Sequence, residues 1–176
     1  MIRKFILMMF VPLLSVAAVA QVSDADYCFT EASELNLIGK IHKETPNPYH
    51  RVDTARYQGW NRTENIQVRC PAGLAVLFKT NSPSISVKTE YGWKSEFVNM
   101  TAISYKGYDL YTKRDGEWPY AASGVARPKK ENNTVVLIQD IGDEMKECML
   151  YLPIYSEVRS VKIGVVAGAQ IEPLDS

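Results

Sequence analysis

What this sequence has little of is the first guide to it. Its 176 residues hold only two histidines, His42 and His50, and three cysteines, Cys28, Cys70 and Cys148. None of the cysteines forms a Cys-x-x-Cys pair. Structural zinc sites gather four Cys or His ligands at close spacing, so neither a metal nor any other cofactor is expected. Basic and acidic residues are equal in number, and the basic pair Lys129-Lys130 runs straight into Glu131. Without a clustered positive surface, nucleic acid is not an expected partner. Helical periodicity is almost missing beyond the first residues, and no strand–helix–strand alternation appears, which argues against an α/β fold.

Long apolar runs are confined to the N-terminus. Arg3 and Lys4 precede Phe5–Leu14, interrupted only by Pro12, and Ala18-Val19-Ala20 follows as a small-x-small cleavage site. This is the three-part pattern of a secretory signal peptide, expected over residues 1–20. The apolar run is short for a bilayer span, which needs roughly 20 residues. The chain is therefore expected to be exported, periplasmic or extracellular, with no membrane anchor after cleavage. An oxidising compartment permits one disulfide, with Cys70 and Cys148 as a candidate pair. Three small buried hydrophobes are the alternative.

The machinery of an esterase is also missing. Such an enzyme needs a nucleophilic serine, oxyanion-hole donors and a histidine base with its orienting acid. Gly142-Asp143-Glu144 has glutamate where a serine nucleophile would stand, and there is no Gly-x-Ser-x-Gly elbow. His50 and Asp53 are three residues apart, but no serine is marked out as their partner, and geometry defines a triad. A polar loop in which His50, Arg51 and Asp53 bond to one another and to backbone is the better reading. Glu90, Glu96, Glu117, Asp140 and Asp143 are scattered, with nothing to pair two of them across a cleft for glycoside hydrolysis. No catalytic residue is assigned.

What is present is a succession of short strand patterns. Ile66–Cys70, Leu74–Thr80, Ile85–Thr89, Ile103–Tyr111, the stretch around Trp118 and Tyr120, Thr134–Ile138, Lys146–Leu152, Val158–Val166 and Gln170–Leu174 read as strand candidates. Asp115-Gly116 is a strong turn signal. Ser23–Glu34 could hold a short helix. Residues 21–60 read as an ordered, extended lead-in anchored by Tyr49, Val52, Tyr57 and Trp60, and 61–176 as the folded domain. About eight strands with frequent turns predict an all-β, jelly-roll-like sandwich.

Several strings resemble one family in order and spacing. Gly107-Tyr108-Asp109-Leu110-Tyr111 is similar to the Gly-x-Asp-Leu-Tyr motif of the domain found in front of SGNH-type esterases. Ala72–Val76, Phe78–Ser82, Asp115-Gly116-x-Trp118, Gly124-x-x-Arg127-Pro128, Tyr151–Tyr155 and Ile163-Gly164-Val165 resemble other parts of it, and Tyr49–Asp53 its lead-in. The resemblance implies a jelly-roll-like sandwich packed beside a hydrolase domain, in enzymes that remove acyl groups from carbohydrates. It also implies a Gram-negative periplasm. The expected role is a non-catalytic accessory domain, with an SGNH hydrolase domain as partner in the same chain. A stand-alone secreted carbohydrate-binding module is the alternative, and a small enzyme with an unrecognised site comes third.

Two groups of residues stand out as candidate sites. Tyr91 and Trp93 flank Gly92 at a strand end and could stack on a sugar ring, because the apolar C–H faces of sugars suit aromatic faces. Within the motif, Gly107 is expected to relax the backbone, Asp109 to bond a neighbouring loop, and Leu110 and Tyr111 to be core. Trp60 and Trp118 are expected to be packing residues. Asn61, Asn99 and Asn132 each begin an Asn-x-Thr sequon, which matters only in a glycosylating pathway.

Overall fold

The computed structural model describes residues 26–94, 96–125 and 134–175. The signal-peptide pattern, Arg127-Pro128, Lys129-Lys130, Asn132 and Ser176 lie outside the described residues. Among those described, ten strands form two antiparallel sheets. The strands are β1 (Tyr27–Glu31), β2 (Asn36–Ile38), β3 (Ala75–Thr80), β4 (Ile85–Tyr91), β5 (Tyr108–Thr112), β6 (Tyr120–Gly124), β7 (Thr134–Ile138), β8 (Lys146–Tyr151), β9 (Val158–Val166) and β10 (Ile171–Pro173). One sheet runs β1-β9-β4-β7. The other runs β10-β3-β8-β5-β6, with β2 also paired to β3.

From β3 onward the chain changes sheet at nearly every step, and β5–β6 is the one tight hairpin of that run. Each strand thus faces a sequence neighbour across the core, the pattern expected of a jelly-roll-like sandwich. Val76 and Phe78, Ile85 and Val87, Leu110, Cys148 and Leu150, and Val161 and Ile163 alternate inward and are fully buried. The Tyr108 hydroxyl crosses the core to the Thr89 hydroxyl of the other sheet, 2.7 Å away. That bond lets a phenol sit in an apolar interior, since a buried hydroxyl must be satisfied. The β5–β6 turn is built as its sequence predicts: Asp115 and Gly116 have φ of 51° and 84°, between the paired Arg114 and Glu117.

Several local expectations are corrected. Ile66–Cys70, expected as a strand, belongs to a helical stretch begun by α1 (Arg62–Gln67). Asn61 and Glu64 form a complete capping box there, which outweighs a short apolar alternation. Ile103–Tyr111 is not one strand: it splits into α2 (Ala102–Lys106) and β5, joined at Gly107. In place of the short helix expected over Ser23–Glu34, the described residues form β1 and a 3-10 turn at Ala32–Glu34. The expected lead-in contributes a strand to each sheet, β1 on β9 and β2 on β3. Tyr49 pins it down, fully buried, with its hydroxyl bonded to Glu31, the Ser33 amide and the Val161 carbonyl. All three cysteines are free. Burial pushes the Cys70 thiol up to about 11 and that of Cys148 up to about 12.

Candidate functional site: two aromatic surfaces

The polar residues weighed for catalysis do not converge. Asp53 accepts from the Ala55 and Arg56 amides, a local turn. Arg51 holds the carbonyls of Gln67 and Cys70 at the end of the α1 region. Arg51 and Asp53 thus bond to backbone, as expected, but the three loop residues do not bond to one another, and His50 turns toward Glu157, Nε2 standing 2.9 Å from Oε1. That approach lies off the ring N–H direction, so Nε2 is close to the carboxylate without a hydrogen bond. Burial lowers the His50 pKa, against the opposing pull of Glu157. The neighbouring Ser156 hydroxyl is fully buried and has no partner. It offers no surface to a substrate. Among the described residues no cluster of His, Cys, Asp and Glu could hold a metal.

Glu157 organises something else. Its Oε1 takes Arg69 Nη1 at 2.9 Å, and its Oε2 takes the Trp93 amide at 2.8 Å. Its backbone pairs with the same loop, Glu157 N to Trp93 O at 2.8 Å and Gly92 N to Glu157 O at 2.9 Å. Gly92 leaves room for this side chain, because a Cβ there would stand 2.5 Å from Glu157 Oε2. The loop leaving β4 at the Glu90/Tyr91 bulge is thereby clamped to the start of β9. On this corner Phe97 meets Trp93, Tyr105 and Tyr155 edge-on, at 6.3, 5.6 and 5.7 Å between ring centres. Tyr105 is buried, while Tyr155, Ile154, Ile103 and Val98 are exposed. Trp93 is half-buried, and so is Tyr91, whose hydroxyl donates to the Lys106 carbonyl at 2.9 Å. Trp60 and Trp118 are elsewhere: the Trp60 indole donates to Tyr57 O, and Lys113 lies over the Trp118 ring.

The Gly-x-Asp-Leu-Tyr string makes a second surface. Gly107 closes α2 by donating to Ile103 O at 3.0 Å, and a Cβ there would stand 2.3 Å from that oxygen. The glycine answers a close approach rather than an unusual dihedral, with φ at −84°. Along β5, Tyr108 and Leu110 then point into the core, so Asp109 and Tyr111 point out. Leu110 is core as expected, but Tyr111, also expected as core, lies on the outer face, because neighbours on a strand cannot share a face. Asp109 is exposed and, among the described residues, bonds no loop. Register places Asp109 opposite Tyr151 of β8 and Ser123 of β6, and Tyr111 opposite Met149 and Tyr120. Tyr111 touches Tyr120 and Tyr151 edge-on at 5.9 and 5.8 Å. Tyr120 is 58% exposed and Tyr151 38%. Sequence reasoning missed Tyr120 and Tyr151 as neighbours of the motif; the β5 alternation was the available signal.

Comparison with known proteins adds the following. Residues 26–171 match the family described as GxDLY, the N-terminus of SGNH-hydrolase-type esterases. A solved structure of a GDSL-like lipase from Bacteroides ovatus is similar at 40% identity and a TM-score of 0.79. The match covers 85% of this chain and 44% of that one. A salicylyl-acyltransferase from a tetracycline biosynthetic pathway shares the fold at 20% identity and a TM-score of 0.51, over 88% of this chain and 41% of its own. The chain thus spans less than half of either solved protein. No curated protein matches.

Proposed function

The chain belongs to the GxDLY family of N-terminal domains of SGNH-hydrolase-type esterases, and from that premise we propose that it is a non-catalytic accessory domain. It docks on a hydrolase domain and shapes that domain's site for acylated carbohydrates, in an exported protein of the periplasm or cell exterior. The single observation that carries this reading is a mismatch of length. The chain aligns over 85% of itself with a lipase-like protein of which it supplies only 44%. What aligns contains no serine–histidine–acid constellation among the described residues: His50 faces Glu157, and the adjacent Ser156 is sealed from solvent. A triad is defined by geometry, and the described residues do not supply that geometry.

A second reading, a stand-alone carbohydrate-binding module, draws on the Trp93 corner. There Trp93, Tyr155 and Ile154 make an aromatic and apolar rim fixed by Glu157.

The test is a chimera in which this chain replaces the matching segment of the Bacteroides ovatus protein. The chimera is expected to be soluble and to cleave an aryl acetate, and the isolated chain to do so no faster than buffer. Turnover by the isolated chain that a serine-directed inhibitor blocks would overturn the accessory reading. Saturable binding of a glycan by the isolated chain, lost in Trp93→Ala, would favour the second.

A further inference from the structure

We propose that the outer face of the β10-β3-β8-β5-β6 sheet, centred on Tyr111, Tyr120 and Tyr151 with Asp109 beside them, is the surface on which the hydrolase domain docks. This inference rests on the accessory-domain reading and adds the face to it.

The solvent face of an antiparallel sheet is ordinarily polar. Here three adjacent strands carry three tyrosines, with Tyr111 touching both Tyr120 and Tyr151 and Met149 in register beside it. Tyrosine and methionine are enriched at the cores of protein interfaces, with charged residues at the rim. The next outward row provides such a rim, where Lys113 pairs with Glu147 at 2.8 Å. The rings also argue against a sugar platform. Tyr120 and Tyr151 stand at 82° and 76° to Tyr111, so the three offer no common plane on which a glycan chain could stack. Edges and faces in alternation suit interdigitating side chains instead.

The course of the chain points to the occupant. β10 runs along the edge of β3 from Thr80 to Phe78, and β2 takes the same edge from Leu77 to Ala75. The two share one edge end to end, so β10 cannot extend past Leu174, whose amide makes a last bond to Leu77 O. Asn36 lies opposite Leu77, in register with Met149 and Tyr111 on the outer side, and its Nδ2 donates to the Leu174 carbonyl at 2.9 Å. The backbone is thus turned off the edge and held by an outward side chain. The family is an N-terminal one, and the related solved chain is more than twice as long as the match. In such a chain the polypeptide beyond this point emerges beside the tyrosine face.

Hydroxyl-radical footprinting tests this, comparing the chimera described above with the isolated chain. Oxidation of Tyr120, Tyr151 and Met149 is expected to fall about fivefold or more in the chimera, as burial at an interface core implies, with Tyr155 and Trp60 unchanged. The double variant Tyr120→Ser/Tyr151→Ser should leave the thermal melt of the isolated chain within a few degrees and split the chimera's single transition into two. Protection at Trp93 and Tyr155 with Tyr120 and Tyr151 untouched would overturn the assigned face and leave the accessory reading standing. Protection nowhere in a folded chimera would overturn both. Protection of the three tyrosines in the isolated chain by acetylated oligosaccharides would make the face a glycan site and also overturn the docking assignment.

Discussion

The two aromatic surfaces hold similar residues and use them differently. At the corner, Phe97 sits among Trp93, Tyr105 and Tyr155, and the loop that carries Trp93 is tied through side chain and backbone to Glu157. Much of that aromatic area is spent on holding two loops together. On the sheet face, the positions of Tyr111, Tyr120 and Tyr151 are set by strand register, and no loop must be held for them to be presented. An aromatic count therefore does not identify a binding surface. In the proposed docking, the rings that hold no loop, those of the sheet, are the ones a partner would cover.

The sharpest way to break this contrast is to remove the clamp. Glu157→Ala leaves Arg69 without its carboxylate and the Trp93 amide without its acceptor, in a site where Glu157 is only 11% exposed. Breaking a buried ion pair by deleting one partner costs about 3–5 kcal/mol. Urea denaturation of Glu157→Ala should show a loss in that range, with Trp93 fluorescence shifted toward the solvent-exposed value. Asp109→Ala on the sheet face should change stability by less than about 0.5 kcal/mol, as exposed sites without special contacts do. Equal losses at the two positions would erase the distinction between a structural corner and a free face.

Glu157 also shows where the sequence stopped being legible. Buried alternation in β4, β8 and β9 could be read from the chain, because period-two patterning is a local property. So could the Asp115-Gly116 hairpin turn, which follows from two residues. The clamp could not: Glu157 meets Trp93 across 64 residues and Arg69 across 88, and nothing beside any of the three announces the others. The α1 region misled for a related reason. Its Ile66 and Val68 alternate like a strand, while the capping box and the grip of Arg51 on its last carbonyls decide for a helix. For the motif, Asp109 and Tyr111 needed only the strand's phase. That phase depended on knowing that α2 ends at Gly107 and β5 begins one residue later.

Gly107 is the joint between the two surfaces, closing α2 on the corner side and opening β5 on the sheet side. Gly107→Ala would drive a Cβ to within 2.3 Å of the Ile103 carbonyl oxygen, a backbone atom that cannot swing aside. Overpacking of this kind costs roughly 1–3 kcal/mol. Chemical denaturation should show that loss, and hydrogen exchange should show faster opening of both α2 and β5. Faster exchange in α2 alone would mean that the sheet face does not depend on the joint.

The smallest expected effect is that of pH, and it should belong to the corner. His50 packs against Glu157, with Arg69 and Lys40 as the nearby cations, and burial holds its pKa below the ordinary 6.5 despite the carboxylate. In the unfolded chain the imidazole takes its proton near 6.5; in the folded chain it resists until a lower pH. Below 6.5 the unfolded state therefore binds more protons, and stability falls as pH falls. His50 contributes nothing to the slope well above 6.5. A single site can contribute at most about 1.4 kcal/mol per pH unit below it. Urea midpoints at pH 7.5 and 5.5 should thus draw closer in His50→Gln than in the parent chain. Glu157→Gln should instead spread them, because it removes the one group that favours the charged ring. A parent chain with no more acid sensitivity than His50→Gln would mean that the histidine is already charged in the fold, and the corner would then be an ion-pair network rather than a neutral ring beside a clamped carboxylate.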